Sequence, residues 1–148
     1  MGAGIALLAA CGATGRANVP PSPGTPPPSA MAKVCQDYAD IKSAMPPILD
    51  RLANGAESSG QYMQDELVID GLSQRLYADA SAFARVAGSR VFELSNRLSV
   101  DLNHLVYGYF MFTDPSQVDA SDVAHVGADL AAIDEAMAAG EFTCASHQ

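Results

Sequence analysis

The side chains of this 148-residue chain best suited to chemistry are three histidines, three cysteines and 17 carboxylates. Asp101 precedes His104 by three residues and His125 precedes Asp129 by four, so each pair shares a helical face and has a spacing that can ligate a metal. A dinuclear centre in a helical bundle would also need inward glutamates and two Glu-x-x-His motifs, and the sequence has none. Asp101 and His104 flank the apolar run Leu98, Leu102, Leu105, and His125 lies off the run Val123, Val126, Leu130, as expected of solvated ion pairs. His147 falls in the terminal tail. Asp114, Asp119 and Asp122 surround a turn without the spacing of an EF-hand loop, and helix capping accounts for them. There is no Gly-x-Ser-x-Gly elbow and no phosphate-binding glycine loop. The expectation is a non-enzymatic protein with no metal and no cofactor.

The elements that would carry these residues are helices. Alanine supplies 26 residues, tryptophan is absent and threonine is scarce, a composition that disfavours an all-β fold. Four apolar stripes repeat at intervals of three and four. They are Val34, Tyr38, Ile41, Met45, Ile48, Leu52; Ile69, Leu72, Leu76, Ala80, Phe83, Ala87; Val91, Leu94, Leu98, Leu102, Leu105, Tyr109, Phe112; and Val123, Val126, Leu130, Ile133, Met137. Asn54-Gly55 ends the first stripe, Ser58 or Ser59 can cap the second, and Gly88-Ser89 separates the second from the third. Asp114 with Pro115, or alternatively Ser121, starts the fourth, and Gly140 ends it. The pattern predicts an all-α, up-down-up-down four-helix bundle whose first helix kinks or splits at Pro46-Pro47.

That topology brings Cys35, near the start of the first helix, to the same pole as Cys144, just after the fourth. A Cys35–Cys144 disulfide is therefore expected, provided that the chain is exported to an oxidising compartment.

The first residues bear on export. Met1 to Ala10 (MGAGIALLAA) form an apolar run too short to span a bilayer. The run ends in Leu8-Ala9-Ala10-Cys11, which resembles the lipobox of bacterial lipoproteins. The resemblance implies cleavage before Cys11 and a diacylglyceryl group on its sulfur. No Lys or Arg precedes the apolar run, a departure from the usual signal. Residues 12–29 hold six of the nine prolines and favour extended polyproline geometry. They read as a tether, the alternative being a PxxP ligand for a partner domain. Such spacers, here with Thr14, Ser22, Thr25 and Ser29, resemble those of mycobacterial and related actinobacterial lipoproteins, in which threonines are often O-glycosylated. The expected organisation is a signal peptide over 1–10, a lipid-anchored linker over 11–30 and a bundle domain over 31–148.

All 17 acids but only seven of the eight basic residues fall in the bundle, and the whole chain has a net charge of −9 with a pI near 4.4. A surface of that sign opposes nucleic acid and anionic headgroups. One segment departs from amphipathic spacing: Leu105 to Phe112 (LVYGYFMF) is apolar all round, so it must be buried, line a pocket or form an interface. The expected function is an accessory or interaction module of the cell envelope, held on the extracytoplasmic face of the cell membrane through Cys11 and contacting an envelope protein through Tyr107, Tyr109, Phe110 and Phe112. The alternative is a carrier or sensor that binds an apolar small molecule or lipid in a cavity between helices, lined by Met45, Tyr109 and Phe112.

Overall fold

The computed structural model describes residues 28–107 and 119–144. The order is α1 (Pro28–Ala53), α2 (Ser59–Ala80), a 3-10 turn (Ser81–Phe83), α3 (Arg90–Tyr107) and α4 (Ala120–Ala138). Each helix packs against the next and α4 returns to α1, which makes a closed four-helix bundle. None of these helices is long and apolar enough to cross a membrane.

The predicted stripes form the core. All six residues of the first stripe are buried, as are Ile69, Leu72, Leu76, Ala80 and Phe83 of the second and Val91, Leu94, Leu98, Leu102 and Leu105 of the third. Ala87 is exposed instead, because α2 stops at Ala80 and the 3-10 turn breaks the period. The buried line of α4 is Val126, Asp129, Ile133 and Ala136, with Val123, Leu130 and Met137 at its edges. That face is rotated toward Asp129, whose carboxylate is drawn against α3.

The helix ends follow local chemistry. Ser58 caps α2, its hydroxyl accepting from the Gln61 amide at 3.3 Å. The cap of α4 is Asp119, which accepts from the Ser121 amide at 2.8 Å, in place of the expected Asp114 or Ser121. At the end of α1, Gly55 has φ +61°; its amide donates to Leu52 O at 3.3 Å and the Ala56 amide to Arg51 O at 3.0 Å. Gly140 repeats this Schellman closure on Met137 and Ala136. Both turns require a left-handed residue that glycine adopts without strain.

One boundary of α1 differs from expectation. The helix begins at Pro28, so residues 28–30 belong to it rather than to the tether; proline suits a first helical position, where its missing amide has no partner to lose. Of the two outcomes expected at Pro46-Pro47, a split does not occur: both prolines lie inside the one helix. Both rings lie on the solvent face, as do Lys42 and Ser43, whose carbonyls lose their amide donors. Water can serve those carbonyls, while Ile41, Met45 and Ile48 hold the opposite face in the core.

Candidate functional site

The bundle joins its first and last helices at one pole. Cys35 and Cys144 are disulfide-bonded, with Cα atoms 5.4 Å apart and a sequence separation of 109. Phe142, two residues before Cys144, packs its ring 6.1 Å from that of Tyr38. The Tyr38 hydroxyl shares a 2.5 Å hydrogen bond with Ser95 in the interior, and burial pushes its pKa up to about 12. The disulfide, an aromatic contact and a buried hydroxyl pair thus tie α1, α3 and the C-terminal segment together.

Three carboxylate clusters, none of them foreseen from spacing, hold the helices to one another. Arg75 of α2 donates to Asp37 and Asp40 of α1, each at 2.5 Å. Arg51 of α1 bridges to Glu57 in the first loop at 3.3 Å and to Asp65 of α2, which Gln61 also contacts at 3.0 Å. Arg97 of α3 pairs with Asp129 of α4. Asp37, Glu57, Asp65 and Asp129 are buried, and one oxygen each of Asp37, Glu57 and Asp129 is enclosed without a hydrogen-bond donor. Burial pushes the Asp37 carboxyl up to about 6 despite Arg75. Burial raises Glu57, reinforced by the neighbouring Asp65, and raises Asp129, reinforced by Asp101. Burial also works against the Asp65 carboxylate, but hydrogen bonds from Arg51, Glu57 and Gln61 outweigh it and hold that group below its usual value.

The histidine pairs are placed differently from each other. His104 lies 3.9 Å from Asp101 on the surface of α3, the expected solvated pair. Asp129 faces Arg97 rather than His125, which is exposed. The reason is geometric: Asp129 sits in the line of Val126 and Ile133, on the buried side of α4, where an arginine from the adjacent helix reaches it. Among the described residues no group of three or more His, Cys, Asp or Glu could hold a metal ion.

Met45, offered from sequence as a pocket wall, is fully enclosed in the core. Of the other residues proposed to form an interface or pocket, Tyr109, Phe110 and Phe112 lie outside the described residues, and Tyr107 lies within them by its backbone alone. Leu105 and Val106, which begin the all-apolar segment, are completely buried, and Leu105 O accepts from the Tyr62 hydroxyl at 3.1 Å. Cys11 also lies outside the described residues.

An open groove of about 500 Å³ occurs at the disulfide pole, walled by Met31, Phe83, Val86, Val91 and Phe142 and crossed by the Arg90–Glu141 pair at 3.1 Å. Among the described residues the exposed large apolar side chains are Met63, Leu67, Val68, Tyr77 and Val100, on α2 and α3. Sequence reasoning missed them because the second stripe was traced only from Ile69. The signal was there: Met63 and Leu67 are one turn apart and belong to a different face from Ile69 and Leu72.

Together these features define a class, an all-α four-helix bundle closed by a terminal disulfide and cross-braced by buried carboxylates that pair with partly exposed arginines. Comparison with known proteins returns no matching family model, no matching curated protein and no matching solved structure.

Proposed function

We propose that this protein is a non-enzymatic lipoprotein of the bacterial cell envelope, a helical interaction module held on the extracytoplasmic face of the cell membrane through Cys11. The observation that carries the reading is the division of the three cysteines. Cys35 and Cys144 bond to each other, as suits an oxidising compartment, and the remaining one stands in Leu8-Ala9-Ala10-Cys11 directly after an apolar run. Two or three acyl chains, each buried methylene contributing about 0.8 kcal/mol, would hold the protein at the membrane without a spanning helix. The domain itself is acidic, so attachment rests on the acyl chains rather than on basic residues. Expressed with its signal in an actinobacterial host, the protein is expected in the membrane fraction, with a diacylglyceryl mass on a peptide that begins at Cys11. Cys11→Ala is expected to move it out of that fraction. An unmodified Cys11, or a distribution unchanged by the substitution, overturns the assignment.

The groove at the disulfide pole favours a second reading, a carrier of an apolar small molecule. The site differs from the one expected by sequence, since Met45 is sealed in the core and the groove is walled by Phe83, Val86 and Phe142. On this reading native mass spectrometry of the purified protein shows a co-purifying lipid that Val86→Arg removes. A spectrum of protein alone counts against a carrier.

A further inference from the structure

α1 starts beside the groove at the disulfide pole: Met31, one turn after Pro28 and about 4.5 Å further along the helix axis, belongs to its wall. Phe83, Val86 and Val91, from the 3-10 turn to the start of α3, and Phe142 complete the apolar lining. Arg90 crosses it, paired with Glu93 at 2.8 Å and with Glu141 at 3.1 Å. The first turn of α1 holds no acid, and Pro27 before it has no side chain that could accept from the amides of that turn. The chain leading into this helix start differs in composition from the bundle. Residues 12–27 contain five prolines, one basic residue, Arg16, and no acid, whereas all 17 acids of the protein lie beyond them. The PxxP run Pro20-Pro21-Ser22-Pro23, which from sequence alone could serve a partner domain, stands five to eight residues before Pro28.

We infer that Val19-Pro20-Pro21-Ser22-Pro23, in the middle of this chain's own proline-rich segment, docks in the groove at the disulfide pole. Three arguments select this occupant over a diffusible one. The first is reach. Five to eight residues of polyproline chain span about 15–25 Å. Pro23-Gly24 supplies the central pair of a type II turn, in which glycine takes the positive φ, so residues 19–22 run back alongside 25–28 toward Met31. The second is chemistry. Proline has no amide N–H to leave unpaired against an apolar wall, and a groove lined by aromatic and aliphatic side chains is the surface on which polyproline ligands dock. The fold-back also brings carbonyl groups and the Thr25 hydroxyl toward the uncapped first turn of α1. The third is concentration and charge. So short a connection presents the segment to the groove at an effective concentration on the order of millimolar, with which the apolar molecule of the carrier reading must compete. Arg16 is drawn to the acidic bundle rather than repelled by it. Docking goes beyond the anchoring proposed above and does not depend on it. With Cys11 acylated, it shortens the free tether from 17 residues, about 50 Å when extended, to 8 residues, about 25 Å, and so holds the disulfide pole toward the membrane.

Nuclear magnetic resonance of the full chain carrying Cys11→Ser, with its disulfide formed, tests this. The expected result is a set of nuclear Overhauser effects from Val19, Pro20 and Pro21 to the side chains of Val86 and Phe142, independent of protein concentration as an intramolecular contact requires. Pro20→Gly, Pro21→Gly and Pro23→Gly together are expected to abolish them, and the amides of residues 19–23 then relax as free chain. These substitutions lie outside the bundle, and a circular dichroism melt that matches the parent's shows the bundle intact. Val86→Arg, from the groove side, is expected to abolish the same contacts. A parent chain whose residues 19–23 touch nothing, contacts that fade on dilution and so come from a second copy, or contacts that survive both sets of substitutions overturn the proposal. A lipid seated against Val86 and Phe142 in the parent chain also overturns it, in favour of the carrier. Docking in a protein whose native Cys11 is unmodified overturns the anchoring alone, and a lipidated Cys11 with a free 19–23 segment overturns the docking alone.

Discussion

Replacing Cys35 and Cys144 together by serine is expected to lower the melting temperature of the domain by roughly 15–30 °C. The bond joins residues at a sequence separation of 109, enclosing nearly the whole folded domain. In the chain-entropy account, a loop of about 110 residues destabilises the unfolded state by about 4–5 kcal/mol. Domains of this size have a net stability of only about 5–15 kcal/mol. The location adds to the effect: the bond ties α1 to the segment that follows α4, and among the described residues beyond Gly140 the apolar side chains that reach the core are Phe142 and Cys144. Reduction of the parent protein with dithiothreitol should reproduce the double-serine melting curve. A shift below about 5 °C, the equivalent of roughly 1 kcal/mol, would show that the termini are fixed by packing and that the bond is incidental.

What could be read in the sequence, and what could not, follows from the range of the forces involved. The helices and their buried faces were legible because apolar spacing and caps act within a few turns, and the first stripe, Val34 to Leu52, is buried without exception. The disulfide was legible because helix count alone determines which ends share a pole. Whether the Pro46-Pro47 step would split α1 or be carried within it was not legible, because the effect of proline depends on whether solvent or core faces the freed carbonyls, and that is a tertiary fact. The ion pairs were illegible for the same reason. Arg97 and Asp129 are 32 residues apart and no local pattern links them, so Asp129 was assigned to the nearer His125. The candidate site divides along this line too: Met45 was rightly placed on an inward face and is enclosed in the core, but which neighbours meet an inward face is a tertiary matter that spacing alone does not carry. The exposed stripe of α2 became visible only when the ion pairs showed which side of that helix faces α1.

Those ion pairs make a second strong expectation, a domain that melts higher at pH 5 than at pH 7.5. The Asp37 carboxyl sits at about 6 in the folded protein against 3.8 when unfolded, so folding favours its protonated form. Its contribution is complete below the unfolded value and is lost as pH rises through about 6. Glu57 and Asp129 are raised as well and act in the same direction. Asp65 is lowered, so its contribution is present above 3.8 and is lost only at more acid pH. Stability should therefore peak in weak acid rather than at neutrality. Since each pKa unit corresponds to about 1.36 kcal/mol and solvent around Arg75 screens part of it, the gain from Asp37 between pH 7.5 and pH 5 is about 1–2 kcal/mol, or roughly 4–10 °C. Asp37→Asn keeps an oxygen for the Arg75 donor while removing the buried charge, so it should raise the melting temperature at pH 7.5 and flatten the profile. Arg75→Met does the reverse: it leaves Asp37 and Asp40 without their shared cation, and its cost should be greater at pH 7.5 than at pH 5, where Asp37 holds a proton. A parent profile that falls from pH 7.5 to pH 5, or an Asn variant with the parent's slope, would show that Asp37 is ionised and well compensated at neutrality, and that Arg75 outweighs the desolvation of its carboxylate.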